Sequence, residues 1–193
     1  GPKEAEKSAA GRRSANITEA LSAGDAVPVV SRAIDLLETV ETGGFSSASL
    51  KAKQLLGIES ADEAELSNSL GKAVLSQLRA TFGAQFTERE GQLLLDIEAN
   101  FGKSTEGNKR LLERTKRILD QRIERGIAAA VENKDFGTAK QLQDAKDFAL
   151  DPNQAPAQQV SAPIEAIEFL RANDSPEIRR QFVEMYGSLP EGF

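Results

Sequence analysis

Apolar residues recur three and four positions apart along most of this 193-residue sequence, and that spacing predicts helices. The clearest run follows Asp25 and consists of Val27, Val30, Ile34, Leu37 and Val40. No stretch of alternating apolar and polar residues is long enough to predict a strand. We therefore expect an all-α protein, a multi-helix bundle with a Pro-rich tether and a short C-terminal helical pair.

Cap residues predict where several of these helices begin. Ser60-x-x-Glu63 and Thr87-x-x-Glu90 both fit the capping box, in which the first side chain and the fourth each accept a backbone N–H. An apolar stripe at helical spacing follows each pattern. Two helices are therefore expected to start at these positions.

Gly102-Lys103-Ser104-Thr105 looks like the end of a Walker A phosphate loop. That motif needs a glycine five residues before its last glycine, and the sequence has Ile97 there. It must also follow a buried strand, whereas an amphipathic helix precedes it here. The favoured interpretation is that one helix ends at Gly102, and that Ser104 or Thr105 starts the next, which runs past Val131.

Composition predicts four segments along the chain. Residues 1–25 lack apolar periodicity and are expected to be disordered or weakly helical. Residues 26–150 hold the helical bundle, and 151–163 form a linker with three prolines among Gln and Ala. Residues 164–193 form a C-terminal helical docking segment. Gly1-Pro2 is typical of the residues left after tag removal, which predicts a natural chain with a different N-terminus.

The absence of His and Cys narrows the chemistry open to this chain. Zinc sites of the usual types and Ser-His-Asp or Cys-His nucleophiles need those residues. Glu88, Glu90 and Glu98 are candidates for a glycosidase-like carboxylate pair, but Glu90 already has a role as a cap. We therefore expect no enzyme, no catalytic residues, no cofactor and no metal site. No apolar stretch approaches the roughly 20 residues of a membrane span.

One stretch of the sequence is basic although the whole chain is acidic. Between Lys103 and Arg125 there are eight basic and four acidic residues, within a chain whose formal charge is −6. One interpretation is a contact to DNA phosphates or an acidic partner. The residues that would make it are Lys109, Arg110, Arg114, Lys116, Arg117 and Arg122. The favoured interpretation is a solvated helix face with local ion pairs such as Glu113–Arg117.

The C-terminal segment concentrates the large apolar side chains of the sequence. The last thirty residues hold five of the eleven Phe, Met and Tyr residues: Phe169, Phe182, Met185, Tyr186 and Phe193. A tethered apolar module of this kind is typical of a partner-docking element. The alternative is that it covers a groove on the bundle, and the sequence favours neither.

Two parts of the sequence resemble segments of structural proteins of tailed bacteriophages, including internal virion and DNA-transfer proteins. The first consists of Leu78-Arg79-x-x-Phe82-Gly83-x-x-Phe86-Thr87-x-x-Glu90-Gly91, Leu93 to Ile97, Phe101-Gly102-x-Ser104 and Asn108-Lys109-x-Leu111-Leu112. The second consists of Ala166-Ile167-x-Phe169-Leu170, Ser175-Pro176-Glu177, Gln181-Phe182 and Tyr186-Gly187. Together they cover about a third of the chain and are mainly helix and cap patterns. The sequence departs from the usual terminal pattern because Ser188 to Phe193 continue beyond it.

This resemblance implies a virion component made in the host bacterial cytoplasm and assembled inside the head or at the head–tail connection. It implies contacts with other virion proteins, self-assembly into a homo-oligomer, and ejection together with DNA. It carries no catalytic residues over to this chain. Two alternatives stand beside it: a DNA-contacting protein that uses the helix Lys103–Arg125, and a fragment of a cell-wall-degrading virion enzyme.

Overall fold

The computed structural model of the protein describes residues 2–83, 86–148, 168, 170–186 and 189. The helices with both ends in these residues are α1 (Pro2–Glu41), α2 (Phe45–Leu56), α3 (Glu63–Phe82), α4 (Glu88–Asn100), α5 (Thr105–Glu132), α6 (Phe136–Lys146) and α7 (Pro176–Tyr186). No strand occurs in the described residues, and the predicted all-α class is confirmed. The chain divides into two compact units, residues 1–150 and 151–193.

The expectation of a disordered or weakly helical segment over residues 1–25 is wrong. Helix α1 begins at Pro2 and runs without a break to Glu41, so the helix predicted to start after Asp25 is the second half of a longer one. Ala20, Ala23 and Ala26 are fully buried. Alanine occurs on exposed and buried helix faces alike, so hydropathy does not mark this buried face.

Pro28 lies inside α1. Proline lacks the backbone N–H, and in a helix interior it costs about 3 kcal/mol or more. Its neighbours Val27 and Val30 are fully buried, like the alanines that precede them. Burial along both sides of Pro28 offsets the lost hydrogen bond and keeps the helix continuous.

Helices α1 and α5 lie antiparallel and form the spine of the first unit. Near one end, Arg13 Nε donates to Asn133 Oδ1 at 2.9 Å; near the other, Lys109 Nζ lies 3.2 Å from Glu41 Oε2. Between them, Gly126 of α5 faces Ala20 so closely that a Cβ at position 126 would overlap the Ala20 methyl. The same Cβ would lie 3.1 Å from the backbone oxygen of Asn16. The absence of a side chain at Gly126 therefore sets the distance between the two helices.

The other helices of the first unit pack around this spine. Helix α1 also contacts α2, α3 and α6, while α4 packs against α3 and α5. The core consists mainly of Leu, Val, Ile and Ala side chains. Its largest fully buried members in this unit are Leu36, Leu37, Leu66, Leu70, Leu78, Leu93, Ile97, Leu112, Leu119, Ile123 and Leu142.

The capping box predicted at the start of α4 is confirmed. Thr87 Oγ1 accepts the Glu90 N–H at 3.2 Å, and Glu90 Oε2 accepts the Thr87 N–H at 2.9 Å. The box predicted at Ser60 and Glu63 is wrong: α3 begins at Glu63, and Asp62 is its cap. Asp62 Oδ1 accepts the Glu65 N–H, since an aspartate is also a strong cap, while Glu65 Oε2 accepts the N–H of Ala61, one residue before the cap.

The Gly102-Lys103-Ser104 stretch is the junction of two helices, as predicted. Gly102 has a φ of +91°, a left-handed conformation that favours glycine after a helix end. Ser104 Oγ then accepts the Gly107 N–H at 3.1 Å and caps α5, which extends to Glu132. The turn therefore ends α4 and starts α5.

The second unit is described in part. Ser175 caps α7, since its Oγ accepts the Ile178 N–H at 3.3 Å. Residues 168 and 170–172 are helical, and Leu170 is fully buried. The predicted linker 151–163 lies outside the described residues.

Gly126→Ala should lower the free energy of unfolding by about 1–3 kcal/mol, because the added methyl meets a backbone oxygen and a buried alanine that cannot move independently. Gly11→Ala is the matched control, since the space around Gly11 on α1 is open. Urea denaturation of both variants checks this. An unchanged stability for Gly126→Ala would contradict the close packing of α1 on α5.

Candidate functional site

The basic residues predicted for a DNA or acidic-partner contact lie on α5, and three of them, Lys109, Arg114 and Arg122, contact acidic residues of other helices. Lys109 Nζ lies 3.2 Å from Glu41 and 3.6 Å from Glu38 of α1. The hydrogen bond to Glu41 raises the pKa of Lys109. Arg114 Nη1 lies 2.7 Å from Asp96 Oδ2 of α4. These two cations therefore hold helices together.

Arg122 is the clearest departure from the predicted surface. Its side chain is only 4% exposed, and its guanidinium forms two hydrogen bonds with Glu90 at the start of α4. Nε lies 2.6 Å from Oε1, and Nη2 lies 2.9 Å from Oε2. The guanidinium also lies 4.8 Å from the centre of the Phe82 ring, which adds a cation–π contact. Arg122 thus belongs to the interior and is not available to DNA or a partner.

Glu90 both caps α4 and pairs with Arg122, and only the cap was predicted from the sequence. Burial alone would raise its pKa, but the hydrogen bonds from Arg122 and from the Thr87 N–H outweigh burial and lower the pKa below its ordinary value of 4.5. Its carboxylate therefore contributes stability that is present above that value and lost as the pH falls through the lowered one. The cap was predictable from Thr87-x-x-Glu90, whereas the ion pair joins residues 32 positions apart.

The remaining exposed face of α5 alternates in charge. Arg110 Nη2 lies 3.3 Å from Glu106 Oε1 one turn earlier, and both side chains are exposed. Glu113 and Arg117 are exposed as well, while Lys116 is half-buried. No ion pair joins Glu113 to Arg117 in the described part of the chain, so this predicted local pair is absent. Acidic and basic residues nevertheless share the face.

A polar groove opens between α4 and the first half of α5. Its volume is about 590 Å³, and it is lined by Asp96, Asn100, Lys103, Ser104, Gly107, Arg110, Leu111 and Arg114. The Arg114–Asp96 pair lies in it, and Lys103 Nζ donates to Asn100 Oδ1 at 3.1 Å. Three cations and one acid line the groove, and Arg110 and Arg114 are each paired with a carboxylate.

The three candidate carboxylates lie in different surroundings. Glu90 is buried and held ionised by Arg122, which is the opposite of the raised pKa that a general acid needs. Glu98 lies 3.3 Å from Arg79 on the surface, and Glu88 is in the exposed first turn of α4. In the described residues no group of three or more acidic side chains is placed to hold a metal ion.

The five C-terminal residues predicted to bind a partner are only partly described. Phe182 is 6% exposed and therefore interior. Met185 and Tyr186 lie at the end of α7, and Phe169 and Phe193 are outside the described residues. Whether this segment docks a partner stays a prediction.

Two exposed apolar side chains lie at the end of the first unit where α5 meets α6. Val131 is 48% exposed and Phe136 is 65% exposed. Arg13 of α1 bonds to Asn133 in the same turn, so α1 continues past it by eleven residues, Pro2 to Arg12, which is about 16 Å of helix. We call Val131, Phe136 and residues 3–12 the bundle-end surface. The apolar spacing around Phe136 in the sequence does not indicate whether its side chain is exposed or buried.

Comparison with known proteins gives no further guidance. The chain matches no known family model, no curated protein and no solved structure. None of the helices in the described residues combines the length and the apolar character needed to cross a bilayer. Function is therefore inferred from the residues and their geometry.

Arg122→Ala should lower the free energy of unfolding by about 3–5 kcal/mol, because it leaves the buried Glu90 carboxylate without a counter-charge. Arg79→Ala is the matched control, since it breaks an exposed pair with Glu98 and should cost less than about 1 kcal/mol. Thermal or urea unfolding measures both.

The double variant Glu90→Gln/Arg122→Met keeps a side chain that can cap α4 and leaves no buried charge. It should recover part of the stability lost in Arg122→Ala. A double variant less stable than Arg122→Ala would contradict this account.

Proposed function

We propose that this protein is a non-catalytic structural component of a tailed-phage virion that binds other virion proteins through its helical surfaces. The two resembling segments support the proposal. In the first, Leu78, Phe82, Leu93 and Leu112 are buried core residues, and Glu90 is a cap. The resemblance thus concerns residues that determine a helical fold. A place inside the head or at the head–tail connection, and ejection with DNA, belong to the same proposal.

The bundle-end surface is the observation that favours a binding role. It combines two exposed apolar side chains, Val131 and Phe136, with a helical extension whose residues 3–8 are all exposed. Apolar side chains next to an exposed helix are typical of surfaces that pack against another helix. The extension carries both signs of charge, with Lys3 and Lys7 beside Glu4 and Glu6. Such a surface suits a helical partner of mixed charge, including a second copy of the chain.

The position of the coding sequence tests the virion assignment. We expect it to lie among genes for portal, terminase and tail proteins, because phage structural genes are grouped. A locus with none of these genes would count against the assignment. This test is independent of whether the purified chain associates with itself.

Light scattering of the purified chain tests self-assembly through the bundle-end surface. We expect an average mass that rises with concentration, and we expect Val131→Ser/Phe136→Ser to suppress the rise by removing apolar contact area. Leu50→Ser/Leu95→Ser is the matched control, because those side chains are equally exposed at other positions. A chain that stays monomeric, or a control that suppresses association equally, would refute this surface as the interface.

The DNA-contact alternative predicts binding that weakens steeply with salt. Lys109, Arg114 and Arg122 are engaged with acidic residues of other helices, and the exposed face of α5 mixes both charges. We therefore expect no affinity for duplex DNA in filter binding at low salt. Binding that is lost in Arg110→Ala/Arg117→Ala would instead support the alternative. A blank peptidoglycan zymogram is the expected result for the wall-degrading alternative.

A further inference from the structure

Helix α6 is held to the first unit by a small apolar area. It has 11 residues, of which only Ala139 and Leu142 are buried, while Phe136 at its start is exposed. It packs on α5 and α1. A helix of this length is not stable alone in water, so it depends on that docking. An unfavourable group at this contact therefore weakens the docking of α6.

Asp120 of α5 is such a group. Its Oδ1 atom is buried and has no hydrogen-bond partner. Four charged groups surround it: Lys116 and Glu124 of α5, and Lys146 and Asp147 at the end of α6. The nearest cation of α6, Lys146, bonds to Glu124 at 2.9 Å and not to Asp120. A buried carboxylate oxygen without a partner carries a desolvation penalty that no hydrogen bond offsets.

The environment of Asp120 acts mainly against its ionised form. Burial raises the pKa of Asp120, and the negative charges of Glu124 and Asp147 act in the same direction. The attraction of Lys116 and Lys146 opposes this shift without cancelling it. The pair between Lys146 and Glu124 places the end of α6 beside the turn of α5 that follows Asp120. Undocking of α6 therefore brings water closer to the carboxylate. The docked state therefore binds a proton at Asp120 more tightly than the undocked state.

We propose that α6 is a pH-sensitive latch: ionised Asp120 weakens its docking on α1 and α5, and protonated Asp120 strengthens it. Undocking removes Leu142 from Gly126, which its side chain approaches in the docked state. It thereby uncovers part of the α1–α5 contact beside the bundle-end surface. The latch is a property of the first unit and does not depend on the virion assignment.

The direction of the pH effect follows from the raised pKa. The stabilisation by the protonated form is complete below the ordinary aspartate value of 3.8 and is lost as the pH rises through the higher docked value. The α6 cap has the opposite dependence, because hydrogen bonds from Thr138 lower the pKa of Asp135. Its contribution is lost only in more acidic solution. Between these limits, the docking of α6 tightens as the pH falls.

Hydrogen exchange of the full chain, expressed as protection factors, tests the latch. As the pH falls from about 7 towards the ordinary aspartate value of 3.8, we expect several-fold stronger protection of the α6 amides, with core amides of α5 as the reference. Asp120→Asn, which is neutral at every pH, should give that protection at neutral pH and remove the pH dependence of α6. Asp144→Asn is the control, because Asp144 on α6 is exposed and pairs with Lys140.

Three results would overturn the proposal. The first is α6 protection in the unaltered chain that does not change with pH. The second is weaker α6 protection in Asp120→Asn at neutral pH, which would mean that Lys116 and Lys146 make the ionised carboxylate stabilising. The third is an equal effect of Asp144→Asn, which would mean that the overall charge of α6, and not Asp120, causes the pH dependence.

Discussion

The buried pair of Arg122 and Glu90 determines how three helices of the first unit meet. Glu90 caps α4, Arg122 belongs to α5, and the guanidinium lies over the Phe82 ring at the end of α3. Desolvation of the two charges is offset only while both hydrogen bonds and the cap persist, so the start of α4 has little freedom to shift along α5. A less demanding apolar contact would tolerate several registers. The ion pair therefore contributes specificity of packing as well as energy, and Asp96–Arg114 repeats the same α4–α5 connection further along.

This use of charge changes the meaning of the basic stretch. A net charge of +4 between Lys103 and Arg125 indicates a positive surface only if its side chains reach solvent together. Instead, Lys109 points to α1, Arg114 to α4 and Arg122 to the interior. The acidic residues they contact belong to other helices, which are the acidic remainder of the chain. The basic residues of α5 are thus paired with acidic residues of other helices in the folded structure. These pairs stabilise the bundle and leave fewer free cations to attract a polyanion.

Local patterns were enough to predict the helical class, the Thr87–Glu90 cap and the α4–α5 junction at Gly102, because each depends on residues within one turn. Local patterns failed where the surroundings of a residue are formed by residues that are distant in the sequence. Residues 16–26 appear polar in sequence, yet their alanine face is buried against Gly126 and the neighbouring helices. Arg122 was placed on the surface because its partner is 32 residues away. The bundle-end surface was missed because exposure of Phe136 is decided by where α1 and α6 lie.

Residues 3–12 of α1 have few buried side chains, yet they can present a defined helical surface. Starting a helix is unfavourable, but adding residues to an existing helix forms one hydrogen bond for each residue fixed. Residues 3–12 continue a helix already held by burial from Ala20 onward, so they need no nucleation of their own. A partner that binds there therefore meets a largely formed helix, and the entropy lost on binding is smaller than for a disordered arm. Helix α6, in contrast, has its own cap and its own ends, so it must dock or unfold as a unit. The two helical segments at this end of the first unit therefore vary in different ways. The extension of α1 can fray to a greater or lesser extent, whereas α6 is either docked or undocked.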